Sequence, residues 1–193
     1  MNEKIQIIIA LIGVWGTLAG TILGWLLNNL SKRGKLNVYV TSFVDSFKYN
    51  NLGVLTPSSS IEQTQHYSYE ATIDLYNSSN ETKILRNLTV IFSDGNNDLH
   101  KSIPNDNRTE RYSSHRYIYD KISPINVPPK TIIQIKLSDG ESSKDNGLDF
   151  IWKTKKVYLT YTNERGKKKK VNIKSELYKN YFENHKTEDI DNG

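Results

Sequence analysis

The pattern of hydrophobic and polar positions divides the chain into two parts. From Ile5 to Leu27 apolar side chains dominate, and no charged residue occurs between residues 5 and 31. A helix over the 23 residues of this run rises roughly 34 Å, enough to cross the hydrocarbon core of a bilayer. From Leu36 onward, apolar and polar residues alternate in short runs, as they do in half-buried strands. The pattern predicts one transmembrane helix followed by an all-β domain.

A cleaved signal peptide is the alternative interpretation of the N-terminal run. The apolar region of a signal peptide is typically about 7–15 residues long and precedes a cleavage motif of small residues. Here the run is longer, and Asn28–Leu30 and then the basic residues Lys32, Arg33 and Lys35 follow it. We therefore expect a retained, single-pass span. Because Lys and Arg near a span favour the cytoplasmic side, this flank predicts a cytoplasmic soluble domain and contact with membrane lipids.

Four glycines recur along one face of the predicted helix: Gly13, Gly16, Gly20 and Gly24. A step of four residues rotates by about 400°, so these positions form one stripe. Glycine is common in membrane spans generally, but small residues in register let two helix backbones approach closely in lipid. The glycine stripe predicts helix–helix association, most simply a homodimer. Thr17 and Thr21 flank the stripe and are candidates for hydrogen bonds across the interface.

The soluble part shows strand patterns separated by turn residues. The clearest runs from residue 66 to 75, where Tyr67, Ala71 and Leu75 belong to one face and polar residues occupy the other. Strands are predicted at residues 36–41, 66–75, 84–92, 112–122, 131–137, 156–162 and 168–174. This spacing predicts an antiparallel β-sandwich of the Ig-like kind, or a small barrel, with about seven strands.

The remaining segments complete the predicted domain organisation. A short helix is predicted at residues 175–182, and irregular connections are expected at residues 50–65, 96–111 and 139–148. The boundaries are a flank at 1–4, the transmembrane helix at 5–27, a basic linker at 28–35, the β domain with its C-terminal helix at 36–183, and a flexible tail at 184–193.

Composition excludes several kinds of chemistry. The chain contains no cysteine, so disulfides, thiol catalysis and cysteine-bound metal centres are excluded. Its four histidines have no short ligand spacing, and we expect them to be exposed. No nucleophile elbow, phosphate loop or metalloprotease helix occurs. We predict no catalytic residue, metal site or cofactor, and no enzymatic activity, although a site assembled from distant strands would leave no local motif.

Positive charge is concentrated near the C-terminal end of the β domain. Residues 153–174 contain nine basic side chains and one acidic side chain, Glu164. The densest part is the predicted hairpin, which carries Arg165, Lys167, Lys168, Lys169 and Lys170. Lysines on a strand alternate between its faces, so they form one patch only at a sheet edge or a hairpin tip.

Three interpretations of this basic hairpin compete. Lysines protect an exposed sheet edge against pairing with other chains. They also attract anionic cytoplasmic lipid, together with Lys32, Arg33 and Lys35. Nucleic acid ranks last, because its binding sites combine basic residues with exposed aromatic side chains or a groove-reading helix.

These observations leave two classes of function. The first is a non-enzymatic binding or scaffolding module at the cytoplasmic membrane face, self-associating through its glycine-striped span. The second is a membrane effector, whose β domain senses a ligand and whose span oligomerises to perturb the bilayer. The partner of either is an unidentified protein or small molecule.

Overall fold

The structure is a computed structural model, and it describes residues 3–31, 34–143, 147–174 and 182. Lys32, Arg33, most of the helix predicted at 175–182 and the predicted tail lie outside the described residues. The elements in chain order are α1 (Glu3–Ser31), β1 (Leu36–Asn51), β2 (Val54–Pro57), β3 (His66–Asn77), β4 (Lys83–Ser93), β5 (Asp98–Ser102), β6 (Asn105–Ser113), β7 (Arg116–Lys121), β8 (Ile125–Val127), β9 (Ile132–Ser142), α2 (Asp149–Lys153), β10 (Lys156–Thr162) and β11 (Lys168–Lys174).

The N-terminal helix α1 runs from Glu3 to Ser31, so residues 28–31, which we assigned to the linker, are helical. Its large apolar side chains are exposed along its length. In the described part of the chain it is the one helix long and apolar enough to cross a membrane. Length and composition of this kind suit a membrane anchor and a signal sequence alike.

The glycine stripe of α1 is open. A side chain built at Gly13, Gly16, Gly20 or Gly24 would meet no atom within 4 Å outside its own stretch of helix. The neighbouring hydroxyls differ from expectation, because they donate within the helix. Thr17 Oγ1 donates to Gly13 O and Thr21 Oγ1 donates to Thr17 O, each at 2.8 Å. Both hydroxyl protons are thus engaged within this single helix, and hydrogen bonds across an interface stay a prediction.

The β domain is a sandwich of two antiparallel sheets. One sheet has the strand order β2-β1-β3-β9-β6-β7 and the other has the order β11-β10-β4-β5, with β8 paired to β4. The predicted antiparallel β-sandwich is confirmed, and the small-barrel alternative does not apply because the strands form two separate sheets. The structure also places the basic strand β11 at a sheet edge. This is one of the two positions at which lysines that alternate along a strand can form a single patch.

The hydrophobic core lies between the sheets, and β3 supplies one wall of it. Its predicted inward face is confirmed, because Tyr67, Tyr69, Ala71, Ile73 and Leu75 are each at most 2% exposed. From the opposite sheet Phe92 packs edge-on against Tyr67 and Tyr69, with ring centroids 5.9 Å apart in both pairs. Edge-to-face pairs of this kind add about 0.5–1.5 kcal/mol to the burial of their apolar area.

A buried ion pair joins the two sheets at one side of the sandwich. Asp45 of β1 and Lys174 of β11 are in direct contact, and their side chains are 2% and 14% exposed. The Tyr67 hydroxyl donates a second hydrogen bond to Asp45 at 2.7 Å. Removing one member of such a pair typically costs about 3–5 kcal/mol, because the other charge stays buried without a partner.

The described residues contain more strands than the alternation predicted. The short strand β2 and the polar strands β5 and β6 lie in segments expected to be irregular, and the short strand β8 lies between the strands predicted at 112–122 and 131–137. The strand predicted at 112–122 contains β7, but its first part is the end of β6 and the turn of the β6–β7 hairpin, where Ser114 and His115 adopt φ of 51° and 65°. Strands β2, β5 and β6 were missed because much of their length is exposed, so their side chains show little apolar alternation.

One buried amide organises the turn between β3 and β4. Asn77 is fully buried, and its Nδ2 donates to the carbonyl oxygens of Glu81, Val127 and Pro128 at 2.7–3.0 Å. Its Oδ1 accepts hydrogen bonds from the backbone N–H and the hydroxyl of Ser79. A single side chain therefore joins this turn to the end of β8.

We expect Asn77→Ala to lower the free energy of unfolding of the β domain by about 3 kcal/mol, because several buried polar groups lose their partner. Chemical denaturation of the full-length protein, followed by tyrosine and tryptophan fluorescence, measures this change. Asn126→Ala is the matched control, because Asn126 lies on β8 next to Val127 but is exposed. Equal stability of the two variants would contradict this role of Asn77.

Candidate functional site

The start of the β domain and the tip of the basic hairpin lie at the same end of the sandwich. Leu36, the first residue of β1, pairs with Asn77, and Lys83 at the start of β4 pairs with Val127. The β10–β11 turn follows Thr162, which pairs with Arg86 near the start of β4. We call this region, which includes residues 34–36, 77–83, 127–130 and 163–169, the helix-proximal end. Sequence patterns alone did not reveal this juxtaposition.

The segment that leaves the helix is held tightly against the β3–β4 turn. Gly34 lies so close to this turn that a side chain there would overlap the backbone of Ser79. The next residue, Lys35, donates its N–H to Ser78 Oγ at 2.8 Å, and its carbonyl oxygen accepts from both the N–H and the hydroxyl of Ser78. The chain is thus fixed to the domain from residue 34 onward.

The tip of the basic hairpin is shaped by Asn163. Its Oδ1 accepts from the N–H groups of Arg165 and Lys167 at 3.1 and 2.9 Å, and its carbonyl oxygen accepts from Gly166 N at 3.0 Å. Gly166 has φ of 73°, in the left-handed region that glycine adopts without strain. The turn therefore uses its own backbone donors and leaves the charged side chains of Arg165 and Lys167 exposed.

A pocket of about 400 Å³ lies between these two segments. Its charged lining consists of five basic residues and one acidic residue: Lys35, Lys83, Arg165, Lys167, Lys169 and Glu164. Gly34, Leu36, Tyr161 and Asn163 complete the wall. The pocket therefore has a strong excess of positive charge and direct contact with the segment that leads to α1.

A buried lysine and a carboxylate lie in this pocket. Lys83 is 5% exposed, and its Nζ is 3.0 Å from Glu164 Oε1. Burial raises the pKa of the Glu164 carboxyl, but a hydrogen bond from its own backbone and the Lys83 ammonium outweigh burial and hold that pKa below its usual value. Glu164 is therefore ionised at neutral pH and neutralises one of the five cations.

The structure brings together four of the basic residues that we singled out from the sequence. Lys35, Arg165, Lys167 and Lys169 line the pocket. Lys83 was missed from the sequence. It lies two residues before Leu85 on β4, so both side chains belong to the same face of the strand. The alternation therefore indicated a charged side chain on the buried face.

Two more lysines of β11 belong to a second depression, of about 470 Å³, on the outer face of the same sheet. Lys168 and Lys170 line it, and Lys169 borders both depressions. Lys170 is 3.4 Å from Asp98 Oδ1 and lies over the Tyr158 ring at 4.0 Å. Its charge is therefore partly neutralised, in contrast to the pocket at the helix-proximal end.

Two further observations concern possible metal ligands and the exposure of the histidines. Among the described residues no three His, Asp or Glu side chains converge on a possible metal site. His100, which we expected to be exposed, instead has a side chain only 19% exposed. Its ring stacks on Phe150 with centroids 4.3 Å apart, so the expectation of exposure was wrong for this residue.

The described residues therefore define an Ig-like β-sandwich that follows an apolar helix and carries a basic pocket where the chain enters the domain. The YopI Ig-like domain family matches residues 34–174 of this chain. The SPbeta prophage-derived uncharacterized protein YopI of Bacillus subtilis is 30% identical over 176 residues, which cover 89% of this chain and 97% of that protein. The chain belongs to the YopI Ig-like domain family.

Similarities to solved structures are weaker. The putative ApaA protein of Bordetella pertussis is 14% identical, with a TM-score of 0.38, over 75% of this chain and 93% of that chain. An uncharacterized β-sandwich protein of Clostridium difficile is 15% identical, with a TM-score of 0.33, over 72% of this chain and 86% of that chain. TM-scores this low carry no argument about the site.

We expect Gly34→Ala to detach residues 34 and 35 from the β3–β4 turn, because the added methyl group would overlap the Ser79 backbone. Hydrogen exchange at the Lys35 amide, which donates to Ser78 Oγ, should become at least about tenfold faster, since this hydrogen bond opens. Gly24→Ala is the control, because a side chain at Gly24 meets nothing within 4 Å. Unchanged protection of Lys35 in Gly34→Ala would show that the segment is not held there.

Proposed function

We propose that this protein is a membrane-anchored, non-enzymatic binding or scaffolding module whose basic helix-proximal end lies against the cytoplasmic membrane face. The observation that carries the proposal is the pocket, in which Lys35 next to the helix meets Arg165, Lys167 and Lys169 of a hairpin far along the chain. The start of the β domain and the hairpin tip are thereby concentrated in one region, which a retained span would place at the membrane surface.

The short connection between helix and domain supports this placement. Helix α1 ends at Ser31, and the domain holds the chain from Gly34 onward. The three Cα–Cα steps from Ser31 to Gly34 span at most about 11 Å even when fully extended. If α1 spans the bilayer, the helix-proximal end has no room to move away from the headgroups.

The charge of this end supports contact with anionic lipid. Each Lys or Arg near an anionic cytoplasmic leaflet contributes about 1 kcal/mol, and the attraction decays within a Debye length of about 8 Å at physiological salt. Arg165, Lys167 and Lys169 are exposed and are close enough to benefit. Nucleic acid stays the least favoured partner, since Tyr158 is covered by Lys170 and Tyr161 is buried.

Self-association through the span is a further part of the proposal. The space beside Gly13, Gly16, Gly20 and Gly24 accommodates a second helix at short distance, and close packing is the main attraction between helices in lipid. Two β domains would then be held side by side at the membrane, which suits a scaffold.

A membrane effector is the second candidate function, and one observation favours it. Gly34, Lys35 and Leu36 form part of the pocket wall. A ligand bound there would contact the segment that leads directly to α1, so its binding energy could shift the association of the spans. For the effector, loss of self-association removes an effect on membrane integrity. For the scaffold, no such effect is expected.

Topology tests the proposed location. The chain has no native cysteine, so Asn96→Cys introduces a single thiol in the exposed β4–β5 turn. We expect a membrane-impermeant maleimide to label this thiol only after cell lysis, because a cytoplasmic domain is shielded in intact cells. Retention in the membrane fraction after a carbonate wash is the control for cleavage of the helix. Labelling of intact cells would place the domain outside and overturn the proposal.

Substitution in the glycine stripe tests self-association. We expect Gly20→Leu to abolish the dimer of the full-length protein, because the larger side chain keeps the two backbones apart. Cross-linking in bilayers and sedimentation in detergent measure the oligomeric state. Ala19→Leu adds similar bulk about 100° away around the helix and should leave the dimer intact. The proposal fails if both variants dimerise like the unmodified protein.

A further inference from the structure

The pocket at the helix-proximal end contains a buried cation, Lys83, which is paired with Glu164. Lys83 is 5% exposed, and its ammonium carries three N–H donors. Within the part of the chain that the structure describes, Glu164 Oε1 is the acceptor it contacts, at 3.0 Å. Buried charges are stable when further acceptors satisfy their remaining donors, so an oxygen-rich ligand in this pocket would complete the site.

The ligand would be held by side chains, because the backbone of the hairpin tip is already in use. The N–H groups of Arg165, Gly166 and Lys167 all donate to Asn163. This arrangement excludes a nest of free backbone N–H groups of the kind that phosphate loops use. Recognition would therefore come from the ammonium groups and the guanidinium of Arg165.

The balance of charge defines the chemical class of ligand. Five basic residues and one carboxylate line a volume of about 400 Å³. A phosphate monoester carries a charge of about −1.5 to −2 at neutral pH, and a guanidinium binds two of its oxygens with matched geometry. A volume of this size lies in the range of small-ligand sites, about 300–1,000 Å³. We propose that this pocket binds a phosphate monoester group.

This inference rests on the proposed function, because it assigns a ligand to the end of the domain that we place at the membrane. The phosphate group has two possible sources with the same chemistry. One is the headgroup of a lipid such as phosphatidic acid, and the other is a soluble phosphate. Gly34 and Lys35, which lead to α1, line the pocket, so a lipid headgroup can reach it. A soluble phosphate can reach it from solvent.

Titration calorimetry of the full-length protein with inorganic phosphate tests the pocket. The protein is held in nanodiscs of phosphatidylcholine at constant ionic strength. We expect saturable binding that Arg165→Gln or Lys169→Gln weakens by about tenfold or more, since each removes a charge-assisted contact. Lys156→Gln is the matched control, because it removes the same charge from an exposed position at the other end of β10.

A variant with the opposite expectation strengthens the test. Glu164→Gln removes the one negative charge of the lining and keeps an oxygen that accepts from Lys83, so phosphate should bind several-fold more tightly. Thermal unfolding verifies that each variant is folded. Absence of saturable binding, equal weakening in Lys156→Gln, or weaker binding in a folded Glu164→Gln protein would each overturn the inference.

Lipid composition distinguishes the sources. Nanodiscs with phosphatidic acid should reduce the apparent affinity for added phosphate if the headgroup occupies the pocket, whereas phosphatidylglycerol at equal surface charge should not. Equal affinity in both lipids identifies a soluble phosphate.

Failure of the inference is separable from failure of the proposed function. If the domain is labelled in intact cells but still binds phosphate, the phosphate-binding inference holds and the proposed position at the cytoplasmic membrane face is wrong. If the domain is cytoplasmic but binds no phosphate, the phosphate-binding inference is wrong and the proposed position at the membrane face still holds.

Discussion

The geometry of the helix-proximal end depends on the buried side chain of Asn77. Its amide satisfies three carbonyl groups and two donors at once. It thereby fixes the β3–β4 turn, on which Gly34 and Lys35 pack. Buried polar groups are costly without partners, so this network specifies one arrangement of the turn. The positions of Gly34 and Lys35 follow from that arrangement.

The fixed position of Gly34 and Lys35 bears on the role of the basic hairpin. A run of lysines on an edge strand is commonly a device against strand pairing, and β11 is such an edge. Here, however, the hairpin tip also faces the segment that leads to an apolar helix. Protection of the edge explains why charges occur on β11, and the pocket explains why Arg165, Lys167 and Lys169 converge with a buried Lys83.

Much of the fold followed from sequence periodicity, because half-buried strands such as β3 carry their apolar residues on one face. Polar strands such as β6 do not carry apolar residues on one face. They pair through backbone hydrogen bonds, which the pattern of side chains does not reveal. The site was only partly predictable. Charge density marked the hairpin, but its proximity to Lys35 arises from the order of strands in two sheets, which no local pattern encodes.

We propose that the helix-proximal end faces the bilayer, and nitroxide accessibility measures this position. Spin labels at Lys168, on the basic hairpin, and at Asn51, at the far end of β1, report distance from the lipid phosphates. The 16 residues of β1 span roughly 50 Å. The account predicts that the Lys168 label lies within about one Debye length of the headgroups and that the Asn51 label is beyond reach. Equal remoteness of both labels, or a closer Asn51 label, would contradict it.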